Sequence, residues 1–257
     1  MPANDTFDGL ARFYDPLMQH VNYDRWYVVA GAVAQLLPRP FAHLDAACGT
    51  GVLLKKLRAD GWRSVGLDLS PAMLRAGRLS GARAVCADLR AIPMRGTFDY
   101  VTCLFDSVNF LLTEDDLYAG VAQLAGALRP GGVLYFDVVT ERMVLDHFAG
   151  QEWTEESGRI SSTWSSDYDR RTQIAATTIR VNSGEPHTLH ERMFPLELVY
   201  DAVARAGCEV LGAHDAQTWK RPGRKTIRVD IVAVRGSARA YKRAFRNVER
   251  FVKQMLK

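Results

Sequence analysis

Between His43 and Leu57 a short apolar stretch runs into a turn holding Gly49 and Gly51. It then continues into residues whose apolar side chains, Val52, Leu53, Leu54 and Leu57, recur at helical spacing. Strand, glycine turn and helix in that order point to a fold in which backbone closes on a ligand, because glycine has no Cβ to hold the ligand off. Nucleotides and nucleosides are the common occupants. A dinucleotide fingerprint asks for a third glycine where Leu54 stands, and a P-loop asks for Lys-Ser or Lys-Thr just after the turn. The chain has neither. Asp45 ends the strand where a pyrophosphate would lie, and a carboxylate there repels phosphate and attracts a cation. S-adenosylmethionine (SAM) carries an ammonium and a sulfonium and no phosphate. Its ribose diol needs an acceptor at the end of the next strand, and Asp68 supplies it.

Past the glycine turn, strand-like and helix-like stretches alternate. Val65 to Leu69, Ala82 to Ala87, Tyr100 to Phe105 and Val133 to Val139 read as strands buried on both faces, whereas Val52 to Asp60, Pro71 to Leu79 and Thr113 to Leu128 carry helical periodicity. The alternation predicts an α/β fold with a parallel sheet between helices, and ligands in such folds bind beyond the carboxyl ends of the strands. Asp45, Asp68, Asp88 and Asp106 each stand at or just past such an end, so four stretches aim acids at one crevice. Asp88 serves equally well as a helix N-cap. Upstream, residues 5 to 37 read as two helices broken at Tyr14-Asp15-Pro16, the second rich in aromatic residues, with Trp26 packing it on the sheet. Tyr14 and Tyr23 carry hydroxyls that a helical cap over the cofactor would use.

Residues 150 to 194 have a different texture. Ile160 to Tyr168, Thr172 to Val181 and His187 to Phe194 are rich in β-branched and aromatic residues and are separated by turn formers, which predicts three antiparallel strands laid over the crevice as a lid. On the last of these, His190, Arg192 and Phe194 share one face and Leu189, Glu191 and Met193 the other. Leu196 to Ala206 returns to helix, and Val210 to Ala213 with Thr226 to Val234 read as a final antiparallel pair. The tail, Ala238 to Lys257, is a basic amphipathic helix with Tyr241, Phe245, Val248, Val252 and Met255 along one stripe. This divides the chain into a helical cap and core over 1–149, the lid over 150–194, the rest of the core sheet over 195–235, and the tail over 236–257.

These motifs resemble the class I SAM-dependent methyltransferases. Leu44-Asp-Ala-Ala-Cys-Gly-Thr-Gly51 is similar to their glycine motif, Gly66-Leu-Asp-Leu-Ser-Pro-Ala-Met-Leu74 to their ribose motif, and Leu128-Arg-Pro-Gly-Gly-Val-Leu134 to the turn before their fifth strand. The resemblance implies a Rossmann-like, doubly wound, mainly parallel seven-stranded sheet with the β lid inserted. It implies that Asp68 takes both ribose hydroxyls, that Ala47 and Gly49, with Gly51 in the same turn, line the methionine part, and that Leu69 and Met73 flank the adenine. Asp88 and the Leu89 amide would read the adenine edge, with Leu104 and Phe105 beside the sulfonium. Tyr14-Asp15 and Phe105-Asp-Ser-Val-Asn-Phe110 narrow the resemblance to small-molecule N-methyltransferases of amino sugars and glycine-like amines. In that group the N-terminal tyrosine region folds over the cofactor. Asp106 and Asn109 depart from the sugar enzymes, which have smaller or less acidic residues there.

The chemistry that follows is transfer of a methyl group from SAM to a small-molecule acceptor, most readily an amine nitrogen, leaving S-adenosylhomocysteine. Alignment does most of the work in such a displacement. Asp106, His190 and Tyr14 are the candidates to hold an ammonium or take its proton, and Asn109 and Arg192 the candidates to contact the acceptor. No metal-ligand cluster is evident, and Cys48, Cys86, Cys103 and Cys208 read as free thiols. The competing reading is a methyltransferase or SAM-binding protein acting on RNA through the tail. Residues 235–257 carry +7 of a formal net charge of +4, leaving the remainder at −3. A mildly acidic body, and the absence of an Asn-Pro-Pro-Tyr or Asp-Pro-Pro-Tyr signature, favour the small molecule. No apolar run approaches the roughly 20 residues of a membrane span, and the start lacks a signal peptide. The expectation is a cytoplasmic monomer or homodimer.

Overall fold

The computed structural model describes residues 3–79 and 83–256. Three helices come first, α1 (Ala3–Leu10), α2 (Tyr14–Leu17) and α3 (Tyr23–Ala34), followed by β1 (Ala42–Ala46), α4 (Val52–Ala59), β2 (Arg63–Asp68), α5 (Pro71–Ala76) and β3 (Ala84–Cys86). The chain continues through β4 (Phe98–Cys103), α6 (Glu114–Ala127), β5 (Leu128–Val139) and α7 (Glu141–His147). A run of strands comes next, β6 (Gln151–Ser157), β7 (Ile160–Asp169), β8 (Ile174–Val181) and β9 (Pro186–Arg192). It ends with α8 (Leu196–Arg205), β10 (Cys208–Asp215), β11 (Arg228–Arg235) and α9 (Lys242–Met255). Ala82, at the start of the expected third strand, and Lys257, at the end of the tail, lie outside the described residues.

Seven strands form the core sheet in the order β3-β2-β1-β4-β5-β11-β10, with β1 to β5 parallel and β11 antiparallel to both of its neighbours. The order reverses between β1 and β4, the place where open α/β sheets leave a crevice at their carboxyl edge. The pleat sorts the side chains. Leu134 and Phe136 of β5 join α6 and α8 in one core, and Val133 and Tyr135 join α3, α4 and α9 in the other.

A second sheet, β6-β7-β8-β9, is antiparallel throughout. It has four strands where the sequence indicated three. Strand β6 carries Glu152, Glu155 and Glu156, a polar edge that hides the alternation, and it is fixed by Trp153, which stacks on its register partner Trp164 at 5.6 Å. The N-terminal break also differs. Asp15 and Pro16 sit inside the single turn of α2, and the chain turns instead at residues 11–13 and again at 18–22 before Asn22 caps α3, so that three helices stand where two were expected.

The tail helix docks on its own sheet. Phe245, Val248 and Val252 are buried in the core that α3 and α4 share, Tyr241 donates a 2.7 Å hydrogen bond to the Gly131 carbonyl, and His214 pairs with Glu249 at 2.9 Å. Lys242, Arg243, Arg246 and Arg250 face solvent. Met255, expected on the buried stripe, is 55% exposed.

Candidate active site

A cavity of about 640 Å³ opens at the carboxyl edge of β1, β2 and β4, within the size range of small-molecule sites. Its floor is the turn after β1. Ala47, Gly49 and Gly51 all have positive φ (56°, 55° and 74°), which curls the chain from strand into α4. Gly49 lines the cavity, and a Cβ there would come within 3.3 Å of Met73 Cε. Gly51 does not line it. It occupies the cap position of α4 and donates to the Cys48 carbonyl, so its part is to shape the turn.

Asp68 is held by two backbone amides, Gly49 N to Oδ2 at 2.7 Å and Ser70 N to Oδ1 at 2.9 Å. Each oxygen thus keeps a lone pair for a further donor. Burial raises its pKa, and the two amide bonds oppose that rise. Asp45 is more deeply enclosed. Desolvation pushes its pKa up to about 7 even though it accepts a 2.8 Å hydrogen bond from Thr102. That bond ends a buried chain. Thr102 Oγ1 lies 3.0 Å from His43 Nε2, and His43 Nδ1 lies 2.9 Å from Ser64 Oγ. Asp88 caps a short 3₁₀ turn, accepting from Arg90 N, and holds the Arg90 guanidinium, which lowers its pKa; its carboxylate lines the same cavity.

The apolar wall is made by Leu69, Met73, Leu89, Leu104 and Phe105. Two segments close the top. The cap contributes Phe7, Tyr14 and Tyr23, and it is tied down by Ser70 donating to Asp8 and by Thr50 donating to Asp15 at 2.5 Å. Burial raises both phenols, Tyr23 to about 12, and each tyrosine is close enough to perturb the other. Tyr14 is therefore a neutral hydroxyl at physiological pH rather than a resting base. Trp26 packs helix to sheet and also lines the cavity, 5.4 Å from the Phe105 ring. The lid contributes Leu189 and Glu191 from β9.

That choice of face corrects the reading of the lid. His190, Arg192 and Phe194 turn away from the cavity, Leu189 and Glu191 turn in, and Met193 is buried beside Val139, Val144 and Ala175. His190 is exposed on the outer surface. Arg192 donates to the Leu112 carbonyl and pairs with Glu114 at 3.3 Å. Asn109 is fully buried and structural. Its amide donates to the carbonyls of Val139 and Arg192, and its Oδ1 accepts from Val139 N at 3.0 Å, joining the turn after β4 to β5 and the lid.

Asp106 does line the cavity. It sits with Phe105 in the left-handed region, φ 51° and 62°, a conformation that costs energy for residues with side chains and needs support. The support comes from Asp137 of β5, which accepts from Phe105 N at 2.7 Å and Asp106 N at 3.3 Å. Arg228 of β11 binds both Asp137 and Asp106, the latter at 3.2 Å. Asp137 also faces Asp230 across the β5–β11 ladder, a buried like-charge pair that Arg228 on one side and Arg25 on the other neutralise. Asp137, Glu191 and Arg228 carry no sequence motif. Asp137 and Arg228 are signalled only as ionisable residues in or beside the apolar runs of β5 and β11, and Glu191 stands in a mostly polar strand that gives no such signal.

The residues present fit SAM. The paired amides leave Asp68 open to a diol, the floor is free of a Cβ where backbone must come close, and the lining is acidic, with Arg90 already paired to Asp88 and Asp116.

Comparison with known proteins agrees. The family model described as a methyltransferase domain matches residues 44–132. The chain is 30% identical over 217 residues to a putative methyltransferase of Bacillus subtilis, covering 79% of this chain and 87% of that protein. It is similar, at 30% identity and a TM-score of 0.64, to a SAM-bound amino pentose methyltransferase from Micromonospora echinaspora involved in calicheamicin biosynthesis, over 82% of this chain and 90% of that one. A dTDP-4-amino-2,3,4,6-tetradeoxy-D-glucose N,N-dimethyltransferase of Saccharopolyspora spinosa is 34% identical over 146 residues, 51% of this chain and 58% of that protein.

Proposed function

The chain belongs to the class I SAM-dependent methyltransferases, and from that premise we propose that it methylates an amine nitrogen of a small molecule. The observation that carries this reading is the far wall of the cavity, where Asp106 and the lid residue Glu191 place carboxyl groups that the nucleoside end does not need. An acidic wall suits an acceptor that arrives as a cation. The relatives described as amino-sugar methyltransferases support the same class of acceptor.

SAM, when bound, supplies the electrophilic methyl group. The chain's own residues do the rest. Asp68 and the Gly49 turn fix the nucleoside end, and Asp45 attracts a positive charge. Phe105, Tyr14 and Tyr23 wall the reacting region and exclude water, so that an acceptor held there meets the methyl group in line. The Tyr14 hydroxyl is available as a neutral hydrogen-bond partner. Cap, core and lid act together as one site, with the tail outside it.

The tail gives little support to an RNA substrate, because its apolar stripe is spent on the protein's own core. Cytoplasmic residence is part of the proposal. It is supported by four unpaired cysteines, and among the described residues no helix is long and apolar enough to cross a membrane. The test is an untargeted search for products that the purified protein labels from SAM bearing a ¹³C methyl group. The expected product shows its label as N-methyl carbon in the NMR spectrum, and an O-methyl or S-methyl product would overturn the amine assignment.

A further inference from the structure

Glu191 is the one acidic residue of the lid in the cavity wall. It comes from β9, whose register against β8 places it opposite Ala175, and α1 packs on the same strand, where Gly9 leaves room for His187. Asp106 reaches the same cavity wall from the turn after β4, close enough that its charge pushes the Glu191 carboxyl toward the protonated form. Glu191 Oε1 is shielded from solvent and finds no hydrogen-bond donor among the described residues. A buried acceptor left open in a cavity wall is costly unless a ligand completes it.

The surrounding groups fix the charge. Arg228 pairs with Asp106 and with Asp137, and Tyr14 and Tyr23 of the cap stand close enough to feel the Asp106 charge. Burial and the neighbouring Asp106 both favour the protonated form of Glu191, with Arg228 opposing them. Two neighbouring carboxyl groups in one buried wall hold one proton between them more readily than two negative charges.

We propose that Glu191 and Asp106 form one proton-sharing carboxyl pair that holds the acceptor nitrogen: Glu191 Oε1 receives an N–H hydrogen bond, and the pair takes the proton that the ammonium loses before it attacks. The proposal rests on the reading of the acceptor as an amine. The proton balance closes. An ammonium gives one proton to the singly protonated pair, which becomes doubly protonated, and the freed lone pair forms the N–C bond as the S–C bond of SAM breaks. The products are the methylated ammonium and neutral S-adenosylhomocysteine, and the pair returns its extra proton to solvent when they leave. Glu191 is then a catalytic residue, and Arg228 is a positioning residue that keeps Asp106 in place.

The test uses full-length protein, ¹³C-labelled at glutamate carboxyls and loaded with S-adenosylhomocysteine, with the Glu191 resonance identified by its loss in Glu191→Gln. The expected result is a Glu191 carboxyl that remains protonated through neutral pH and shifts saturably with methylammonium. Tetramethylammonium, which has the same charge and no N–H, should leave it in place. A Glu191 that ionises like a free glutamate, or that ignores methylammonium, or that responds equally to both cations, overturns the proposal. These readings need no knowledge of the natural acceptor, so they can fail while the amine assignment stands. With the acceptor found by product labelling, Glu191→Gln should lower kcat/KM on the order of a hundredfold and remove an ionisation from its pH profile, with SAM affinity unchanged. An unaltered pH profile would also contradict the role.

Discussion

Asp45 and Asp68 stand one strand apart and face one cavity, yet they differ in how protons and ligands act on them. Asp68 is anchored by two amides, and Asp68→Ala should weaken SAM by about 1–3 kcal/mol as two ribose hydroxyls lose their acceptor. Calorimetry measures it. Asp45 has its pKa raised to about 7 by burial. A raised carboxyl pKa means that the folded protein binds this proton more tightly than the unfolded chain does. The group's contribution to stability is thus complete below the ordinary aspartate value and is lost as pH rises through about 7. A cationic ligand reverses the preference by favouring the ionised form. SAM affinity should therefore climb by on the order of tenfold between about pH 5.5 and 7.5, and Asp45→Asn should flatten the climb. A wild-type profile as flat as the variant's would remove Asp45 from cation recognition. Both aspartates were legible in the sequence, because each ends a short apolar strand beside a local motif. Glu191 and Arg228 were not. Alternation along β9 shows that Leu189 and Glu191 share a face, but which face looks inward depends on how the lid docks, and no residue within the strand encodes that. The same limit led to His190, the one histidine on the lid face that turned out to be exposed.

At the level of elements, lid and cap are a single unit. Leu10 and Leu17 of the cap share a hydrophobic cluster with Trp164, Ile179 and Val181 of the lid, and Phe13, Met18 and Leu189 pack against it. The cap carries Tyr14, so damage to the lid should reach the cofactor end. Ile179 is fully buried in that cluster and does not line the cavity. Ile179→Ala should cost about 2–5 kcal/mol of local packing, loosen the amides of α1 and β7 together in hydrogen exchange, and weaken SAM binding. Exchange that quickens in the lid while α1 stays protected would show two independent parts. Strand content in this region could be read from its β-branched and aromatic residues, apart from the glutamate-rich β6. The shared core could not, because it joins residues more than 140 positions apart.

The whole molecule places a catalytic body, residues 1–235, with formal charge −2 beside a tail, residues 236–257, with +6. Charge alone leaves the tail open to an anionic partner. Packing decides its first duty. Phe245 lies against His214 and Trp219, and Val248 and Val252 complete the core over β5 and β11, so Phe245→Ala should destabilise the protein by about 3–5 kcal/mol. A melting curve unchanged by that substitution would show the docking to be dispensable. The stripe itself was visible in the sequence; its partner surface was not, since it is assembled from α3, β5 and β11. Whether the protein serves a small amine is decided by giving the full-length protein methyl-labelled SAM with a metabolite extract and, in parallel, with total RNA. Label is expected in a small cationic product of the extract and none above background in the RNA. Label entering RNA and absent from the metabolite fraction would contradict the small-amine reading.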